Sequence, residues 1–139
     1  MRIHQKTCCF GCALALASIF ILVVTSPASA ESLLSKHGDW EAFTERESGK
    51  LVCYMGAVPT RSRGKYIRRG RTFLLITHRP AEKSKNVISL QAGYTYKKAA
   101  EVELIIDKSS FKLFTDEKWA FAADTATDSE LVKSMIGGA

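Results

Sequence analysis

Turn residues divide the chain into seven short runs of strand-forming residues, and this spacing restricts the fold more than any other feature of the sequence. Val, Ile, Leu, Phe and Tyr dominate the runs, and Gly, Ser, Asp and Pro separate them. Many short strands at this spacing are typical of an antiparallel sandwich or barrel. We therefore predict an all-β fold, mainly an antiparallel β-sandwich, with strands at residues 39–44, 51–55, 73–77, 87–94, 102–106, 111–114 and 119–122.

One short helix is predicted after the last strand, at the C-terminus. Thr127 and Glu130 have the spacing of a capping box, in which each side chain accepts the other residue's backbone N–H. Gly137 supplies a stop signal. The helical period places four apolar residues on one face of this helix: Leu131, Val132, Met135 and Ile136.

The first thirty residues have the pattern of a secretory signal peptide. Two basic residues precede an apolar run, Cys12–Val24, of 13 residues, which is shorter than the about 20 needed to span a bilayer. We predict cleavage after Ala30, a mature domain of residues 31–139 without a transmembrane segment, and a periplasmic, secreted or cell-surface location. A retained N-terminal anchor is the alternative. The small residues at the cleavage positions are Ala28 and Ala30.

Cys53 is the only thiol of the predicted mature domain, so no intrachain disulfide can form there. It lies in an apolar run with Leu51 and Met55 on the same strand face. We expect a buried, unreactive cysteine. An intermolecular disulfide and a reactive thiol are the alternatives.

A basic segment precedes and enters the third predicted strand. Residues 61–85 hold nine Lys and Arg residues against Glu82 alone. A long basic connection of this kind predicts contact with anions, and export favours lipopolysaccharide phosphates, phospholipid head groups or host glycans over nucleic acid. A solvated loop without a partner is the alternative. The candidate anion-binding residues are Arg61, Arg63, Lys65, Arg68, Arg69 and Arg71.

Several separated motifs lie along the chain in a fixed order, namely Gly38–Trp40, Cys53–Met55, Thr77–Ser84, Gln91–Lys98 and Phe114–Asp116 with Trp119. Together they resemble the invasion-associated locus B family of alphaproteobacterial exported proteins over about residues 36–136. The resemblance implies a β-rich periplasmic or surface protein, named for a role in bacterial entry into host cells. It assigns no catalytic residues.

Two features depart from the pattern of that family. Its members usually continue beyond the helix with further β-type sequence, so we expect residues 31–139 to lack the last strands of the domain. Candidates for the surface thereby uncovered are Trp119, Phe121 and the strand at 73–77. The segment Ile67–Arg71 is also more basic than the family pattern.

The residue types of an enzyme or a metal site are not grouped in this sequence. His37, His78 and Cys53 have no zinc-ligand spacing, and neither a nucleophile elbow nor a phosphate-binding glycine loop occurs. We predict no catalytic residues, metal or cofactor. The predicted function is that of an exported binding or envelope protein with a role in host-cell invasion. The alternatives are a periplasmic structural or stress-related envelope protein without a host role, and an enzyme that uses Cys53.

Overall fold

The computed structural model describes residues 30–137, which form eight β-strands, a short 3₁₀ helix (Pro80–Glu82) between the fourth and fifth strands, and one α-helix after the last strand. The predicted fold class, mainly antiparallel β with one C-terminal helix, is confirmed. Residues 1–29 of the predicted signal peptide, which include Ala28, lie outside the described residues. In chain order the elements are β1 (Ser32–His37), β2 (Trp40–Glu47), β3 (Lys50–Ala57), β4 (Phe73–Arg79), β5 (Ser84–Gln91), β6 (Glu101–Ile106), β7 (Ser109–Asp116), β8 (Trp119–Phe121) and α1 (Thr125–Gly137).

All eight strands join in one continuous antiparallel sheet with the order β1-β2-β3-β4-β5-β8-β7-β6. The first five strands follow one another as a meander. The short strand β8 then lies between β5 and β7, which puts the β6–β7 hairpin at the far side of the sheet. Strands β1 and β6 are therefore the two edges.

Two-residue turns connect several of these strands and fix their register. Ser48 and Gly49 join β2 to β3, and both have positive φ, as a type I′ hairpin turn requires. Asp107 and Lys108 join β6 to β7, with Asp107 also at positive φ. Each turn lies between two strands predicted from the sequence, the first between residues 39–44 and 51–55 and the second between residues 102–106 and 111–114.

One face of the sheet, called the core face, carries the hydrophobic core. Ile76 of β4 lies opposite Ile88 of β5, and Leu90 lies opposite Ala120 of β8. Helix α1 packs Leu131 against these side chains, and Leu131 is fully buried. Because α1 contacts β5, β6 and β7, the core lies between the helix and that half of the sheet.

Helix α1 begins two residues before the predicted capping box. Asp124 is the N-cap, because its carboxylate accepts the backbone N–H of Thr127 at 2.7 Å. This bond lowers the pKa of Asp124 from its usual value. Thr127 therefore lies inside the first turn. Ile136, predicted on the packed face, is 81% exposed.

A basic loop and an aromatic cleft

The connection between β3 and β4, residues 58–72, is called the basic loop. It contains all six candidate anion-binding residues and no acidic residue. It has neither helix nor strand, because the chain there is interrupted by Pro59, Gly64 and Gly70 and by a run of charges. The structure thus brings the predicted residues together in one loop at one end of the sheet.

Arg69 differs from the other cations of the basic loop because it holds the loop to the sheet. Its Nε donates to the backbone oxygen of Ala92 at 2.9 Å, and Nη1 donates to Ser62 Oγ. Its guanidinium lies over the rings of Tyr66 and Tyr94, at 5.3 and 5.9 Å from their centroids. Arg69 is therefore a structural residue of the loop, a role that the sequence analysis did not distinguish from anion binding.

The two tyrosines that contact Arg69 make further contacts, Tyr66 within the basic loop and Tyr94 in the segment that follows β5. The hydroxyl of Tyr66 lies 3.2 Å from Ser62 Oγ within the loop. This hydrogen bond is the main cause of a lowered pKa of Tyr66, and Arg69 lowers the pKa further. Tyr94 packs edge-on against Tyr96, whose pKa is raised by burial. The loop is thus joined through Arg69 to the core side of the segment that follows β5.

A direct backbone contact closes the base of the basic loop. The N–H of Gly70 donates to the oxygen of Gly93 at 2.7 Å. Gly93 has φ of +79°, and a Cβ there would lie 2.5 Å from the Gly70 oxygen. Only glycine fits this approach without displacement of the loop. This contact was not predicted from the sequence. The feature that could have indicated it is Gly93, an isolated glycine directly before Tyr94.

The remaining five cations of the loop are exposed to solvent. Within residues 30–137 their side chains form no hydrogen bond or salt bridge, in contrast to Arg69. They repel one another weakly across water and attract anions. These five residues are Arg61, Arg63, Lys65, Arg68 and Arg71.

The face of the sheet opposite the core face is called the aromatic face. Phe43 of β2 stacks on Tyr54 of β3, with ring centroids 5.4 Å apart. A second cluster runs across β4, β8 and β7, where successive ring centroids lie 5.6 to 6.3 Å apart. Its members are Phe73, Trp119, Phe121 and Phe114. Phe73, Trp119 and Phe121 belong to the residues that the sequence analysis expected at a surface uncovered by missing strands. Ile76, which lies in the same predicted strand as Phe73, is on the core face instead.

A cleft of about 800 Å³ opens on the aromatic face beside the basic loop. Its lining includes Phe43, Tyr54, Phe73 and Leu75, and Arg71 stands at its border. Gly56 forms part of the cleft between two longer side chains, because Glu41 and Leu75 flank it in register. A second, smaller cleft of about 340 Å³ continues along β2 to β4. Neither cleft was predicted, although a glycine within a strand signals a close approach.

The rim of the two clefts is acidic. Lys36 pairs with Glu41 at 2.6 Å, which raises the pKa of Lys36, and Arg79 pairs with Glu47 at 3.1 Å. The hydroxyl of Tyr54 donates to Glu31. Three acidic residues that line the clefts have no salt bridge within residues 30–137, namely Glu31, Asp39 and Glu45.

Cys53 lies opposite His78 on neighbouring strands and is half-buried, so the expectation of a fully buried cysteine is only partly met. The helix covers the other half of the core face, and Leu51 and Met55 beside Cys53 are exposed for the same reason. His78 Nδ1 accepts the backbone N–H of Asn86 at 3.3 Å, so Nδ1 is not free to act as a base. This geometry does not build a thiol nucleophile.

Among residues 30–137, no three His, Cys, Asp or Glu side chains are grouped so that they could hold a metal ion. The helix found in that range is too short to cross a membrane.

The fold and the site define an antiparallel β protein that presents a cationic loop beside an aromatic cleft. Residues 40–139 match the model of a protein family described as invasion associated locus B (IalB) protein. The chain therefore belongs to the invasion associated locus B family, as the motifs in the sequence predicted. Searches of curated proteins and of solved structures each found no significant match.

Proposed function

We propose that this protein is an exported, non-enzymatic binding protein whose basic loop binds anionic groups of the bacterial envelope or of the host-cell surface. Members of its family are generally exported, and the family is not a known enzyme family. Outside the cytoplasm, the anions within reach are lipopolysaccharide phosphates, phospholipid head groups and sulfated or carboxylated glycans. A role in host-cell invasion would follow from attachment to such glycans.

The observation that carries this proposal is the difference between Arg69 and its neighbours. Arg69 is bound to Ala92 and to two tyrosine rings, and it fixes the loop. The other cations are exposed, and the loop holds no acid to neutralise them. A restrained loop loses less conformational entropy when it binds than a free one does, which favours binding over a merely solvated role.

Retention on immobilised heparin and on lipopolysaccharide tests the proposal. The variant Arg61→Gln/Arg63→Gln/Arg68→Gln removes three exposed charges and leaves the anchor Arg69 in place. The matched control, Lys85→Gln/Lys108→Gln/Lys133→Gln, removes three exposed charges from other parts of the surface. We expect the loop variant to elute at much lower salt and the control to elute near the wild type. Equal losses in both variants would mean that net charge alone causes retention.

A further inference from the structure

The aromatic face has the composition of a protein interface. Its centre consists of aromatic and aliphatic side chains, and charged residues surround that centre. Interface cores are enriched in Phe, Tyr and Trp and depleted in charges, whereas rims are polar. Some of its apolar side chains are well exposed, including Phe114 at 49% and Leu33 at 57%. Apolar surface of this kind on a small protein marks a site of interaction.

No helix covers the aromatic face within residues 30–137. The helix α1 packs on the core face, where Leu131 meets Ile88 and Leu113. The carboxylate of Asp128 fixes the helix on that side through the N–H of Ile88. In the described part of the chain, a helix therefore covers the sheet on one face only, over part of its width.

The rim of the clefts and the basic loop have opposite charge. The acids without a salt bridge within residues 30–137, Glu31, Asp39 and Glu45, outnumber Arg71 at the rim. Cleavage after Ala30 would add the α-ammonium group of Glu31, and the rim would still keep an excess of acid. The loop carries six cations and no acid. It also exposes two apolar side chains, Tyr66 and the fully exposed Ile67, that match the apolar lining of the cleft.

We propose that two copies of this chain associate through their aromatic faces, with the basic loop of each copy seated in the acidic-rimmed cleft of the other. The loop does not fill the cleft of its own chain, because Arg69 and Gly70 hold it against Ala92 and Gly93. This inference goes beyond anion binding by the loop and concerns a different property, the oligomeric state.

The positions of loop and cleft allow a closed dimer. Pro59 and Thr72, at the two ends of the loop, line the cleft, so both features lie at the same end of the sheet. A two-fold axis then makes both loop-to-cleft contacts at once, as isologous dimers require. The eight strands of the sheet, about 4.8 Å apart and about 17 Å long, give a face of roughly 600 Å². The loops add the remainder toward the roughly 800 Å² per partner of a standard interface.

The mass of the exported protein in solution is the first measurement. Sedimentation equilibrium should give a dimer at micromolar to millimolar concentration, with dissociation that increases as NaCl rises from about 0.1 to about 1 M, since the screening length falls from about 10 to about 3 Å. A monomer at every concentration would overturn the proposal. It would leave retention on heparin unaffected, so the two proposals fail separately.

Charge exchange between loop and rim is the decisive measurement. Arg61→Glu/Arg63→Glu/Lys65→Glu/Arg68→Glu reverses the net charge of the loop and leaves Arg69 in place, and Asp39→Lys/Glu45→Lys reverses the rim. We expect each variant alone to be monomeric and an equimolar mixture of the two to form a heterodimer, because both contacts are then restored. A control reversal away from this end, Lys85→Glu/Lys133→Glu, should dimerise as the wild type does. Homodimers that persist in both reversed variants would overturn the proposal.

The apolar part of the interface has its own test. Phe114→Arg changes an exposed residue of the aromatic face, and Ile136→Arg changes an exposed residue of α1 as the control. Circular dichroism verifies that both variants fold. We expect at least tenfold weaker dimerisation for Phe114→Arg and no change for Ile136→Arg. Equal affinities would place the interface elsewhere and overturn the proposal.

Discussion

The carboxylate of Asp128 in α1 accepts the backbone N–H of Ile88 in β5 at 2.8 Å. The pairing of β5 with β8 begins at Ser89, one residue further along, so Asp128 occupies the position where the next strand partner is missing. Asp128 is only 6% exposed. This bond therefore satisfies the backbone N–H of Ile88 next to the end of the β5–β8 pairing and holds the helix on the core face.

Two replacements of Asp128 distinguish the contribution of its hydrogen bond to Ile88 from the contribution of its charge. Asp128→Ala leaves the buried N–H of Ile88 without an acceptor, and we expect the free energy of unfolding to fall by about 1–3 kcal/mol. Asp128→Asn keeps an oxygen acceptor and should remain close to the wild type at pH 7. Denaturant unfolding of the two variants measures this difference. Equal losses would show that the bond to Ile88 contributes little.

The same residue predicts a pH dependence of stability. Burial raises the pKa of Asp128 above its ordinary value, and the bond from Ile88 only partly opposes this. The folded chain then holds the proton more tightly than the unfolded chain, so the contribution of Asp128 to stability falls as pH rises from about 4 through the raised pKa. We expect the wild type to gain stability relative to Asp128→Asn as pH is lowered from 7 toward 4. The opposite trend would contradict the raised pKa.

The approach of Gly93 to Gly70 predicts an unequal response of two glycines to the same substitution. Both Gly38 and Gly93 have positive φ, but only at Gly93 would a new Cβ meet other atoms, the oxygen and carbon of Gly70 at 2.5 and 2.8 Å. Gly38→Ala should cost about 1 kcal/mol from its backbone conformation alone. Gly93→Ala should cost about 1–3 kcal/mol more. Thermal and denaturant unfolding check both values, and equal losses would contradict the close contact.

Cys53 is the only thiol of the predicted mature chain, so a thiol reagent reports on the accessibility of this residue alone. Because it is half-buried, a thiol reagent should modify it from the folded state, at a rate proportional to reagent concentration but slower than in denaturant. Cys53→Ala should cost about 1 kcal/mol through lost packing. A rate limited by global unfolding would mean that the thiol is inaccessible in the native protein.

Cleavage after Ala30 remains a prediction from the sequence, and N-terminal sequencing of the exported protein measures it. We expect the mature chain to begin at Glu31, the residue whose carboxylate accepts the hydroxyl of Tyr54. Ala30→Arg should block cleavage, because signal peptidase requires small residues at this position. An uncleaved product that fractionates with membranes would contradict the prediction.

Strand content was largely readable from the sequence because alternating apolar residues and turn residues act locally. The predicted strands at 102–106 and 111–114, which form the β6–β7 hairpin, are examples. Strand β1 was missed, since Ser32–His37 has no alternation of apolar and polar residues and is an edge strand whose conformation depends on its pairing with β2. The helix start was placed late because Asp124, the true cap, lies outside the capping-box pattern.

The positive charge of the basic loop was predictable from the sequence, but the separate role of Arg69 and the position of the aromatic cleft were not. Six basic residues marked the loop, yet only the fold reveals that Arg69 reaches Ala92, which is 23 residues away. The aromatic cleft joins Phe43, Tyr54 and Phe73 from three strands. Such long-range groupings depend on sheet order and register, and neither follows from local patterns.

Arg69 provides the last prediction, because its role depends on geometry rather than on charge alone. Arg69→Lys keeps the charge but loses the planar guanidinium that binds Ala92 and lies over Tyr66 and Tyr94. These contacts are together worth about 1–2 kcal/mol, so we expect the amide of Gly70, bonded to Gly93, to exchange about tenfold faster with solvent.

Arg68→Lys is the matched control, since Arg68 is exposed and carries the same charge in the same loop. Its amide exchange at Gly70 and its retention on heparin should equal those of the wild type. Arg69→Lys should elute from heparin at lower salt despite an unchanged net charge, because the loop loses its fixed arrangement. If both variants bind heparin equally while Gly70 exchanges faster only in Arg69→Lys, the number of charges in the loop matters for binding and their arrangement does not.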